Sequence, residues 1–157
     1  MHNLPMTRHL VLSPALRRAL TYEAERAAPE ECCGVLLGNE KPTGDRVVTH
    51  ILPAANVATT ARSQSYVLDP RALLIAERWG KQGSSILGIY HSHPNAQPTP
   101  SAADSATGVS EWSYLIISLP RDQPPVLKSY RFDDGAFNEE ELLCDIKGGG
   151  EDRRGST

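Results

Sequence analysis

Apolar positions along this chain recur with two spacings, near two and near 3.6 residues, and these divide it into strands and helices. Arg8 to Leu12 reads as a short strand. Ser13 then offers an N-cap with Pro14 in the first helical position, and Leu16, Leu20, Ala24 and Ala27 form a helical apolar stripe that Pro29 ends. Cys33 to Leu37 is a buried apolar run closed by Gly38, and Arg46 to Leu52 is a second strand. The turn-rich stretch Lys41 to Asp45 makes a hairpin of the two. Pro53 to Ser65 is a polar loop of small residues, long enough to suggest a part in binding, and Tyr66 to Leu68 reads as a short strand.

Asp69 and Pro70 repeat the cap-then-proline signal. A second helix runs from there through Leu73, Leu74, Ala76 and Trp79 to about Gln82, with Gly83 as its stop. Ser85 to Tyr90 is nearly all apolar, the pattern of a central strand covered on both faces. Trp112 to Leu119 and Val126 to Phe132 read as further strands joined by a turn at Pro120 to Pro125. Phe137 to Ile146 reads as a final short helix, and the charged, glycine-rich segment Lys147 to Thr157 as a flexible tail. Strands alternating with two solid helices predict an α/β or α+β layered fold, one domain over residues 1–146.

A length of 157 residues suits one core rather than two, and 39% hydrophobic with 22% charged residues is the balance of a soluble globular chain. The net charge of -3, without a long basic run, argues against a nucleic-acid binder. The N-terminal segment is broken by Pro5, Arg8, Pro14, Arg17 and Arg18, which predicts no signal peptide, and no stretch approaches the roughly 20 apolar residues that span a bilayer. Cys32, Cys33 and Cys144 fit neither a disulfide framework nor a Cys-x-x-Cys metal site, so a reducing cytoplasm is the expected home. Nothing in the pattern sets an oligomeric state.

The chemistry begins where the buried strand ends, at His91-Ser92-His93-Pro94. Residues two apart on an extended chain share a face, so both imidazoles can address one point, and the turn Asn95 to Pro100, read as flexible, can return Asp104 to it. Two imidazoles and a carboxylate are a standard set for catalytic zinc, with the fourth position left to water. On spacing alone, Ser101-x-x-Asp104 reads first as a capping box; a carboxylate has two oxygens, so capping and ligation are compatible. His2, His9 and His50 read as ordinary surface or core histidines, Cys33 as core, and Trp79 and Trp112 as core or edge residues. Glu31, beside Glu30, reads on its own as an exposed acid. The deaminase pattern His-x-Glu with Pro-Cys-x-x-Cys is missing, as is His-Glu-x-x-His.

Two blocks together resemble the JAMM (JAB1/MPN/Mov34) metallopeptidases. One is Gly88-Ile89-Tyr90-His91-Ser92-His93-Pro94 followed by Pro100-Ser101-Ala102-Ala103-Asp104; the other is Pro29-Glu30-Glu31-Cys32-Cys33-Gly34-Val35-Leu36-Leu37-Gly38. The spacer Asn56 to Pro70, ending Tyr-Val-Leu-Asp-Pro, is also similar. The resemblance implies a mixed sheet flanked by helices, akin to the deaminase-like fold, and one Zn2+ per chain on His91, His93 and Asp104. It implies Glu31 as the acid/base and Ser101 as a donor to the developing oxyanion. The compact chain resembles the short, stand-alone prokaryotic branch. That implies cleavage after the C-terminal diglycine of a ubiquitin-like β-grasp sulfur-carrier protein, with isopeptide cleavage at lysine, a non-catalytic scaffold and a small-molecule zinc hydrolase as the competing functions.

Overall fold

The computed structural model describes residues 8–144. Its elements in chain order begin with β1 (His9–Leu12), α1 (Pro14–Ala27), β2 (Cys33–Glu40), β3 (Arg46–Ala54) and α2 (Pro70–Gly80). There follow β4 (Ser85–His93), α3 (Ala102–Thr107), β5 (Ser113–Ser118), β6 (Val126–Asp133) and β7 (Ala136–Cys144). Both expected helices start at their caps: the Ser13 hydroxyl accepts from the Leu16 amide at 3.2 Å, and the Asp69 carboxylate accepts from the Arg71 amide at 3.0 Å. The mixed α+β class holds for one domain. The expected tail at 147–157 lies outside the described residues.

Two expectations are corrected. The mixed sheet expected as a layer closes into a barrel in the order β1-β3-β2-β4-β5-β6-β7, with β1 parallel to both β3 and β7. The closing strand is the segment read as a final helix. Glu139, Glu140, Glu141 and Leu142 are good helix formers, but Asp134 and Gly135 both take positive φ, 52° and 74°, the geometry of a two-residue hairpin turn. That turn pairs β7 with β6, and Phe137 packs edge-on against Tyr114 at a centroid distance of 5.3 Å. Glu140 turns inward, where it receives Arg131 Nε at 2.6 Å and the Ser129 hydroxyl at 2.7 Å. These tertiary partners outweigh local helix propensity.

Alternation along the strands divides the core. Leu36, Tyr90, Leu115, Ile117 and Leu127 face one way, with Leu10, Leu12 and the α1 residues Leu20 and Ala24. On the other face, Val35 and Leu37 meet Ala72 and Ala76 of α2, while Ile89, Tyr114 and Phe132 lie under Tyr66 and Trp112. His91 and His93 share the parity of Ile89 and so emerge on this second face.

β4 runs between antiparallel β2 and parallel β5, and it approaches β5 so closely that a β-carbon at Gly88 would fall on the Ser113 backbone carbonyl. Gly88→Ala is therefore expected to lower Tm by roughly 5–10 °C, since a backbone neighbour cannot step aside. Gly80→Ala, where a β-carbon meets nothing within 4 Å, is the matched control in thermal unfolding followed by circular dichroism. Equal Tm values for the two variants would show that the β4–β5 approach is slack.

Candidate metal centre and active-site groove

β4 carries its regular pairing to His93 itself, three residues further than the apolar run suggested. The antiparallel register that sets Cys33 opposite His91 continues outside the strand: the Ser92 amide donates to the Cys32 carbonyl at 3.1 Å, and the Cys32 amide to the Ser92 hydroxyl at 2.8 Å. One step further along this ladder lies Glu31, on the same face as the two histidines. One ligand-type atom each from Glu31, His91 and His93 lies within 4.8 Å of the others. The two histidine Nε2 atoms face each other at 3.1 Å. Glu31, 5% exposed, is thus a buried acid and not the surface one it resembled in isolation.

Asp104 arrives from the crossover between β4 and β5. Ser101 caps α3: its hydroxyl accepts from the Asp104 amide at 3.3 Å, and its own amide donates to Asp104 Oδ2 at 2.7 Å. The capping box is real, and it occupies only one carboxylate oxygen. Oδ1 stands 3.6 Å from His91 Nε2. Cap and candidate ligand are therefore the two ends of a single side chain. The Ser101 hydroxyl, used there as an acceptor, keeps its own proton for donation into the groove that it lines.

The two carboxylates have been driven apart electrostatically. Burial, reinforced by the nearby charge of Asp104, raises Glu31 to about 7. Burial acts upward on Asp104 too, but hydrogen bonding and charge from His91, with the Ser101 bonds, hold it down at about 2. One carboxylate is thus a permanent anion and the other is poised to exchange a proton, the division of labour that acid/base chemistry needs. Burial lowers the His93 pKa, which favours the neutral imidazole that ligation requires. His93 Nδ1 meets the Gln97 carbonyl at 2.7 Å, a contact that puts the proton on Nδ1 and leaves the Nε2 lone pair facing the cluster. Two buried imidazoles whose Nε2 atoms face each other, with flanking carboxylates, fit a divalent cation that accepts mixed nitrogen and oxygen ligands.

Sequence reasoning placed Asn56 and Tyr66 in the spacer that resembles the family but gave neither a role in the site. Tyr66 lies against His91, ring centroids 4.5 Å apart and planes 25° from parallel. Because His91 Nδ1 is buried without a hydrogen-bond partner among the described residues, ring stacking rather than a bond at that nitrogen orients the imidazole. Asn56 uses its whole amide: Nδ2 donates to the Glu31 and Ser65 carbonyls, each at 3.1 Å, and Oδ1 accepts from the Ala58 and Val67 amides, each at 3.1 Å. The Glu31 amide in turn donates to the Arg62 carbonyl at 2.8 Å. The polar loop after β3 is thereby stitched to the backbone of Glu31. The signals available were an asparagine inside a run of small residues and the resemblance carried by the spacer that begins with it. The expected strand at Tyr66–Leu68 is reduced to a single bridge between Asn56 and Leu68.

Loop and crossover enclose an open groove of about 1090 Å³, with Glu31, His93, Ser101 and Asp104 on its floor and Ser63, Ser65, Ala103 and Ala106 among the small residues of its walls. The other histidines lie apart from it: His9 bonds Asp45 and Glu141 at 3.0 and 3.2 Å, and His50 meets Trp79 edge-on. His2 falls outside the described residues. Cys33 is fully buried, as expected of core.

Residues 13–133 match the family model of prokaryotic homologues of the JAB domain. The desampylase of Haloferax volcanii is 42% identical over 106 residues, covering 63% of this chain and 72% of that one. The CysO-cysteine peptidase of Mycobacterium tuberculosis is 33% identical over 133 residues, covering 83% and 88% respectively. The solution structure of protein DSY2949 from Desulfitobacterium hafniense superposes with a TM-score of 0.77 at 33% identity, over 87% of this chain and 92% of that one.

Proposed function

The chain belongs to the prokaryotic JAB-domain family, and from that premise we propose that it is a zinc-dependent peptidase cutting after the C-terminal diglycine of a ubiquitin-like carrier protein. The observation that carries the proposal is the convergence of Glu31, from before β2, on the histidine pair of β4 within 4.8 Å. Relatives named as a desampylase and a CysO-cysteine peptidase support the substrate class. No helix among the described residues is long and apolar enough to cross a membrane.

In this reading His91, His93 and Asp104 hold one Zn2+. When bound, zinc supplies a Lewis acid that acidifies water and polarises the scissile carbonyl. Glu31 takes the proton of the attacking water as that oxygen adds to the carbonyl carbon, then delivers it to the departing amine nitrogen as the C–N bond breaks. The Ser101 hydroxyl donates to the carbonyl oxygen as negative charge gathers there. Asp104 stays ionised throughout, and Asn56 keeps the Glu31 backbone in place.

A glycine-rich tail has few side chains to recognise, so backbone pairing and a narrow groove suit it. Among the described residues the closed barrel leaves no free sheet edge for that pairing. The segment Tyr66–Leu68, bridged on one side to Asn56 and lying beside the groove, offers one instead. Walls of alanine and serine accept glycine readily.

The test is a ubiquitin-like protein ending in Gly-Gly, offered with a short linear extension and, separately, joined to a lysine ε-amine, with products read by intact mass. Zinc-loaded protein is expected to release the linear extension with the diglycine end intact, and removal of zinc by a chelator is expected to stop it. Faster cleavage of the lysine conjugate would assign an isopeptidase, and zinc binding without any turnover a scaffold.

A further inference from the structure

The turn from His93 to Ser101 is too short to have a core of its own, yet it is the chain that joins the histidine pair to the cap that holds Asp104. Three successive carbonyls of this turn point inward, and each meets a side-chain donor. The Ser118 hydroxyl donates to the Ala96 carbonyl, His93 Nδ1 meets the Gln97 carbonyl at 2.7 Å, and the Tyr130 hydroxyl donates to the Pro98 carbonyl at 2.7 Å. The Leu119 amide adds a bond to the His93 carbonyl at 3.0 Å. Ser118 and Tyr130 are 1% and 8% exposed, so their hydroxyls have no ready exchange with bulk water. Ser118 stands opposite His93 in the parallel register of β4 and β5. A segment with the composition of a flexible loop is therefore held as a strut by two strands that contribute no candidate ligand.

We infer that Ser118 and Tyr130 are positioning residues of the metal centre, fixing the span between His93 and the Ser101–Asp104 cap through the carbonyls of Ala96 and Pro98. The inference rests on the zinc reading above. Its physical basis is that a buried hydroxyl bonded to a carbonyl gives up a hydrogen bond if the turn shifts, so the turn keeps one position before any cation arrives. Outer partners of this kind typically change metal affinity by roughly 10–100-fold when removed. Neither residue touches the reacting atoms.

The experiment is zinc affinity measured by chelator competition on the full-length protein, with Tyr130→Phe and Ser118→Ala compared with wild type. Ser129→Ala is the control: it removes an equally buried hydroxyl bond on β6, but one made to Glu140 and not to a carbonyl of the turn. Each positioning variant is expected to bind zinc roughly 10-fold more weakly and the double variant more weakly still, while Ser129→Ala keeps wild-type affinity. Ser118→Thr, which retains the hydroxyl, is expected to restore most of the affinity lost in Ser118→Ala. Thermal unfolding of the zinc-free proteins separates positioning from general destabilisation, because the control should lose as much Tm as the test variants. Wild-type affinity in both positioning variants overturns the inference and leaves the zinc reading standing. Failure of the wild type to bind zinc removes that reading and the strut's role with it.

Discussion

Glu31→Gln is expected to reduce kcat by roughly 10²–10⁴-fold while the purified protein still holds about one zinc per chain. Glutamine preserves the shape and burial of the side chain and removes only its capacity to accept a proton. The reason to expect zinc retention lies in the contrast between two buried carboxylates. Asp104 is an anion held at about 2, its Oδ2 tied to the Ser101 amide and its Oδ1 turned to His91. Glu31, at about 7, makes no side-chain hydrogen bond among the described residues and is free to exchange a proton with water. Yet three close ligand-type atoms come from Glu31, His91 and His93, so the glutamate competes geometrically for the role of ligand. Elemental analysis of Glu31→Gln decides between them: zinc lost from this variant and kept in Asp104→Asn would exchange the two roles.

Removing a proposed ligand should be harsher. His91→Ala and Asp104→Ala are each expected to retain less than about 0.1 zinc per chain and to lose measurable peptidase activity. Asp104→Ala also breaks the cap of α3, at a cost of about 1 kcal/mol, so on its own it confounds metal loss with loss of the helix. Asp104→Asn resolves this. An asparagine oxygen can still accept from the Ser101 amide, but the other end of the side chain is no longer anionic. Zinc lost in Asp104→Asn with Tm of the zinc-free protein unchanged would identify the charge as the ligand. Zinc retained at wild-type affinity in both His91→Ala and Asp104→Asn would end the metallopeptidase reading.

Much of the site was legible along the chain, for local reasons. The i, i+2 spacing of His91 and His93 puts two imidazoles on one face of any strand, and Ser101-x-x-Asp104 caps any helix that begins there. The cap-and-proline signals at Ser13-Pro14 and Asp69-Pro70 start helices without help from elsewhere. The apolar run through β4 announced a buried central strand for the same reason. Each of these rests on interactions spanning a few residues.

What the sequence by itself determined, then, is most of the elements, the two histidines facing one way, and a capped helix start close behind them. It misread β7, because local propensity favours a helix wherever glutamates and leucines cluster, while the Asp134-Gly135 turn and the partners of Phe137 and Glu140 are worth more once the chain is folded. Only the tertiary structure decided that the sheet closes, that three carbonyls of the turn after Pro94 each meet a side-chain donor, and that Glu31 is buried. The last of these matters most to function. Glu31 and His93 are far apart along the chain, and they meet because Cys33 pairs with His91 and Cys32 with Ser92, a register in which a slip of one residue would turn Glu31 to the opposite face. Registers are set by the whole packed sheet and by no single stretch of sequence. The same long-range pairing sets the electrostatics, since Glu31 is raised and Asp104 lowered by neighbours that only folding brings together.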